Sequence, residues 1–134
     1  MCGIADALEL IGERWSLLVL RELALGATRF NDIRHNTGAP RETLTARLRA
    51  LEDAGVIARR QYSAHPPRDE YLLTGAGQAL VPVLRSLRKW GEQYATPLLR
   101  AQRQPPLGAG GRPAWKEPAI AVVTSDGPSA PARL

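Results

Sequence analysis

Two consecutive prolines, Pro66 and Pro67, sit between two short strand-like runs, Val56–Tyr62 and Asp69–Leu73. Proline fixes φ, lacks a backbone N–H and bars the residue before it from the helical region. The connection Ser63–Arg68 therefore cannot be helical, and the two runs are expected to pair as a β-hairpin. Arg59, Arg60 and Arg68 bracket its tip with positive charge. The patterned sequence on either side reads as helix, so the chain is mainly α with one small β-hairpin.

Ahead of the hairpin, Ile4, Leu8 and Ile11 recur at helical spacing until Gly12 interrupts them. A second helix is expected over about Arg14–Leu25, burying Trp15, Leu18, Val19 and Leu23, with Gly26 in the left-handed position after its end. Thr28 is the expected cap of a short third helix, about Arg29–Asn36, which buries Phe30 and Ile33. The segment 36–39 reads as a turn, and Pro40 suits the first position of a fourth helix ending near Ala54-Gly55. Leu44, Leu48 and Leu51 form its apolar stripe. Glu42, Thr45, Ala46 and Arg49 point the other way, with Arg41 and Arg47 on the flanks. After the hairpin, Thr74 is the expected cap of one long final helix carrying Leu80, Val83, Leu84, Leu87, Trp90, Tyr94 and Leu98, in which Pro82 is a candidate kink.

The charge has a location. The chain carries a formal +5, and residues 29–68 alone hold eight arginines against four acids, a balance that favours a polyanionic partner. The single cysteine, Cys2, excludes an internal disulfide and a cysteine-based zinc site, and His35 and His65 lack ligand-like spacing, so neither metal nor cofactor is expected. No apolar run approaches a membrane span and no signal peptide is evident, so the expected setting is the cytoplasm. Glu52-Asp53 and Asp69-Glu70 are paired acids without a convergent partner and read as surface or structural groups, not as an enzyme's acid and base. Six of the eleven prolines lie beyond residue 100. The expected organisation is therefore a folded domain over 1–100 and a Pro/Gly-rich, disordered tail over 101–134.

Three helices, a turn-preceded fourth and a basic hairpin compose a winged helix-turn-helix, with the Pro40–Ala54 helix in the recognition position. A helix of that width fits the major groove, where side chains reach base edges, while a wing tip reaches phosphates or the minor groove. The expected DNA contacts are Arg29, Arg41, Glu42, Thr45, Ala46, Arg47 and Arg49 from the helices, and Arg59, Arg60, His65 and Arg68 from the wing.

Four ordered stretches, Leu10–Leu23 (LIGERWSLLVLREL), Arg29–Ile33 (RFNDI), Leu44–Gly55 (LTARLRALEDAG) and Pro66–Thr74 (PPRDEYLLT), resemble the HxlR-type regulators over roughly residues 2–95. The resemblance implies a dimeric bacterial transcription factor, often a repressor, acting on double-stranded DNA. It also aligns Cys2 with a cysteine that some members use to sense oxidants or electrophiles, which makes an oxidant or small molecule a candidate effector. Ala39 departs from a common Ser, Asp69 from a common apolar residue. The chain begins almost at the family's N-terminal cysteine, so a few residues ahead of the first helix are expected to be missing.

The last helix offers more apolar surface than a three-helix core can cover. Leu84, Leu87, Trp90, Tyr94 and Leu98, with Ile4, Leu8 and Ile11 of the first helix, are the expected homodimer interface. The function expected is sequence-specific regulation from an inverted-repeat operator. The alternative is a winged helix used for protein–protein contact without selective DNA binding.

Overall fold

The computed structural model describes residues 2–103. Contacts divide the chain into two units, one through Ser86 and one from Leu87 onward. The first contains α1 (Gly3–Ile11), α2 (Arg14–Ala24), α3 (Phe30–Thr37), α4 (Arg41–Asp53), an antiparallel hairpin of β1 (Ile57–Ala64) and β2 (Pro67–Leu73), and α5 (Gly75–Ala79). This is the winged helix-turn-helix expected from the sequence.

The hydrophobic stripes converge on one core. Val19, Leu20 and Leu23 of α2, Ile33 of α3, Leu44, Leu48 and Leu51 of α4, and Val56 and Ile57 at the root of the hairpin are all buried. Each fully buried aliphatic side chain contributes roughly 1.5–3 kcal/mol, so the three leucines of α4 weld that helix to α2. Ile11 joins this core as well.

Local chemistry sets the element ends. Glu13 caps α2, its Oε2 accepting from the backbone N–H groups of Trp15 at 2.9 Å and Ser16 at 3.2 Å. Gly26 and Gly38 follow α2 and α3 with φ of 101° and 75°, a region that L side chains avoid. Pro40 is the N-cap of α4, one position earlier than expected, and that helix has no side-chain cap. Thr28 does not cap α3 either. Arg29 holds the N-cap position, and the Thr28 hydroxyl instead donates to Glu70 Oε2 at 3.2 Å.

The strands reach further than the residue types suggested. Pairing runs from Ile57 opposite Leu73 to Ala64 opposite Pro67, with an irregularity at Tyr62 and a cis His65–Pro66 bond at the tip. Pro67 sits at a strand's first residue, where a missing N–H is tolerated.

The expected single long C-terminal helix begins in pieces. Thr74 does cap, accepting from Gly77 N at 3.3 Å, but α5 stops after five residues and α6 (Val81–Trp90) starts anew. Pro82 is the second residue of α6, in a first turn where no intrahelical N–H is needed. From Leu87 on, helical backbone continues through a wider π-type turn, Gly91–Ala95, into α7 (Thr96–Arg103). Residues 101–103, expected in the tail, are thus helical. The rest of the tail and the candidate strand at 120–124 lie outside the described residues.

Candidate nucleic-acid interface

The recognition face is built by exclusion. With Leu44, Leu48 and Leu51 turned into the core, the 100° rotation per residue leaves Arg41, Glu42, Thr45, Ala46 and Arg49 exposed and Arg47 half-buried. The Thr45 hydroxyl donates to Arg41 O at 2.9 Å, which leaves its lone pairs free to accept. The Arg41 guanidinium stands over the Phe30 ring at 5.3 Å, and Arg47 Nε lies 3.9 Å from Glu13 Oε2.

The wing arginines are in different circumstances. Arg59 lies between two acids, 3.7 Å from Glu52 and 3.8 Å from Asp69. Arg60 donates through Nε at 3.1 Å and Nη2 at 2.5 Å to one oxygen of Glu70, its cross-strand partner. That contact, ahead of the Thr28 hydroxyl, holds the Glu70 carboxyl below the usual glutamate range, with burial opposing it. Arg29 stacks on the Tyr62 ring at 4.5 Å. Among the described residues, Arg29, Arg41, Arg49, His65 and Arg68 have no acidic partner within 4 Å.

Sequence reasoning missed three features: the Glu13 cap, the Arg29–Tyr62 stack and the Thr28–Glu70–Arg60 chain. The last was within reach. Once the strands pair, Arg60 opposite Glu70 is a cross-strand ion pair, but the irregularity at Tyr62 hides the register from a simple count. The paired acids 52–53 and 69–70 contribute three of the carboxylates that meet the wing arginines.

Cys2 is exposed at the N-cap of α1. The backbone N–H groups of Ala5 and Ile4 at that helix end favour the thiolate and hold its pKa below the ordinary cysteine value. Of the expected dimer residues, Ile4 and Leu8 are exposed in α1, and Leu87, Trp90, Tyr94 and Leu98 are exposed in the second unit. Ile11 is buried and Leu84 is half-buried against the core of its own unit, so these two are occupied within one chain. Among the described residues there is no cluster of three or more metal-ligating side chains, and no helix is long and apolar enough to cross a membrane.

A model of the HxlR-like helix-turn-helix family matches residues 10–98. The chain belongs to the HxlR-like family. Within it, an HTH-type transcriptional regulator of Mycobacterium bovis, Mb3122, is 47% identical over 69% of this chain and 58% of its own length. The chain thus spans less than two thirds of that relative. A regulator from Methanothermobacter thermautotrophicus is 40% identical over 72% of this chain and 74% of its own. Among solved structures, the redox regulator HypR in its reduced form superposes with a TM-score of 0.67 at 31% identity, covering 74% of this chain and 99% of that one. The transcription factor PA1607 gives a TM-score of 0.65 at 39% identity, covering 69% and 65%. These HxlR-like and HTH-type relatives are named as transcriptional regulators, not enzymes, and DNA-binding control of transcription is the class of activity they support.

Proposed function

We propose that this chain represses transcription as a homodimer bound to an inverted-repeat operator, with α4 in the major groove and the hairpin on the flanking backbone. The observation that carries the reading is α4 itself. Its leucines are spent on the core, so its cations, Thr45 and Glu42 are held outward on a rigid support. Arg41 and Arg49, free of acidic partners, suit guanine edges, with Glu42, Thr45, Ala46 and Arg47 completing the reading surface. Arg29, His65 and Arg68, which have no acidic partner among the described residues, are assigned to phosphate or the minor groove, whereas Arg59 and Arg60 are engaged by Glu52, Asp69 and Glu70.

The homodimer is inferred from apolar surface. Ile4 and Leu8 on α1, and Leu87, Trp90, Tyr94 and Leu98 further on, are large side chains left in water; pairing two copies would bury them isologously. Cys2 is assigned as the responsive thiol. Its exposed helix-end position favours a thiolate, and a neighbouring structure is named as a redox regulator.

Two substitutions test the DNA reading together. Arg49→Ala should cost about 1–3 kcal/mol on the operator and less on random duplex, because a bidentate base contact is lost. Arg68→Ala should weaken both duplexes alike and shallow the salt slope by about one unit. Titrations by fluorescence anisotropy at several salt concentrations give both numbers. Equal losses on the two duplexes for Arg49→Ala would remove base reading from α4. Salt-independent binding would favour a protein-docking winged helix instead.

A further inference from the structure

Glu70 is not an ordinary surface acid. Its side chain is only 15% exposed, whereas that of Arg60 is 65% exposed. One carboxylate oxygen takes both Arg60 donors and the other accepts from the Thr28 hydroxyl. The strand carrying it is fixed at the same corner, because Tyr71 N donates to Thr28 O at 2.8 Å. The carboxylate is therefore tied to Thr28 just ahead of α3, and following the guanidinium outward would break that bond. Arg60 can reach a phosphate only by leaving a two-donor, charge-assisted contact. Arg68, three residues past the cis bond and without an acidic partner among the described residues, faces no such competition.

Resting on the DNA-binding reading above, we propose that Glu70 is a positioning residue that withholds Arg60 from DNA phosphates. The wing then grips the backbone with fewer charges than its sequence offers. Non-specific affinity is held down, and discrimination between sites is left to α4. The physical logic follows from counterion release: each phosphate neutralised strengthens binding to every sequence alike, so an unrestrained wing arginine raises the random background as much as the operator signal.

The test uses the full chain and a random-sequence duplex, with affinity measured by anisotropy from about 50 to 200 mM salt. Glu70→Gln keeps the side chain's size and an acceptor for Thr28 but removes the charge that holds Arg60. It should steepen the log–log salt slope by about 0.9, the value for one added phosphate contact. It should also tighten operator and random duplex by the same factor, leaving the ratio of the two affinities unchanged. Arg60→Ala alone should leave the slope at its wild-type value, and the double variant Arg60→Ala/Glu70→Gln should return to that value. A Glu70→Gln slope equal to wild type, or a shallower slope for Arg60→Ala alone, overturns the proposal while leaving DNA binding intact. A wild-type chain with no salt-dependent binding to any duplex would remove the DNA reading and this inference together.

Discussion

Cys2 shows how far one side chain can be read and where reading stops. Its presence as a lone cysteine is plain in the sequence, but its place at the open end of α1 depends on where that helix begins. The N–H groups that favour its thiolate belong to Ala5 and Ile4, neither of which looks like a partner on paper. An exposed thiol whose ionisation is favoured by the helix end should react readily with diamide, so diamide treatment is expected to change DNA affinity in the native protein and not in Cys2→Ser. An identical response in both would detach Cys2 from regulation. The outward residues of α4 were legible because burial of Leu44, Leu48 and Leu51 fixes the helix's rotation, and the rotation assigns every other side chain. Thr28 was not. Its hydroxyl suits a cap as well as it suits Glu70, and the choice depends on a strand 42 residues away.

The four helices, their order and the hairpin follow from apolar spacing, glycines and the paired prolines, and the helix limits fall within a few residues of expectation. The long helix after the hairpin was legible as periodicity from Leu80 to Leu98, and helical backbone does run from Val81 to Arg103 through the wider turn at Gly91–Ala95. Only its start was misplaced, because Thr74 caps a separate short helix, α5, that ends at Ala79. That short helix is packed tightly at the hairpin root. A Cβ on Gly77 would lie 2.3 Å from Val56 O and 2.9 Å from the Leu73 side chain, so α5 presses directly on the strands. Gly77→Ala gains about 1 kcal/mol of helix propensity but forces a backbone carbonyl to move, and overpacking of this kind costs about 1–3 kcal/mol or more. The clash should win. Urea denaturation is expected to show a lower midpoint at an unchanged slope, and a raised midpoint would mean that α5 stands off from the hairpin.

At the scale of the molecule, one recognition helix and one wing tip make few base contacts, and useful specificity calls for two copies. Trp90 and Tyr94, with ring centroids 5.8 Å apart, remain exposed, and aromatic surface of that size is most economically covered by a partner. Trp90→Ala is expected to shift the mass seen by light scattering at micromolar concentration from dimer towards monomer, and to weaken operator binding with it. A monomeric mass for the native chain, unchanged by the substitution, would oppose the homodimer. The sequence offered the apolar residues of this surface but not their division of labour: Ile11 and Leu84 turn inward, which only the assembled core decides. The central claim, a two-fold regulator reading DNA through paired α4 helices, is tested most directly by hydroxyl-radical footprinting on the intergenic DNA beside the chain's own gene. The account predicts two protected patches related by a dyad, with centres about 10–10.5 base pairs apart or a multiple of that. A single unpaired patch, or uniform protection without a preferred site, would contradict it.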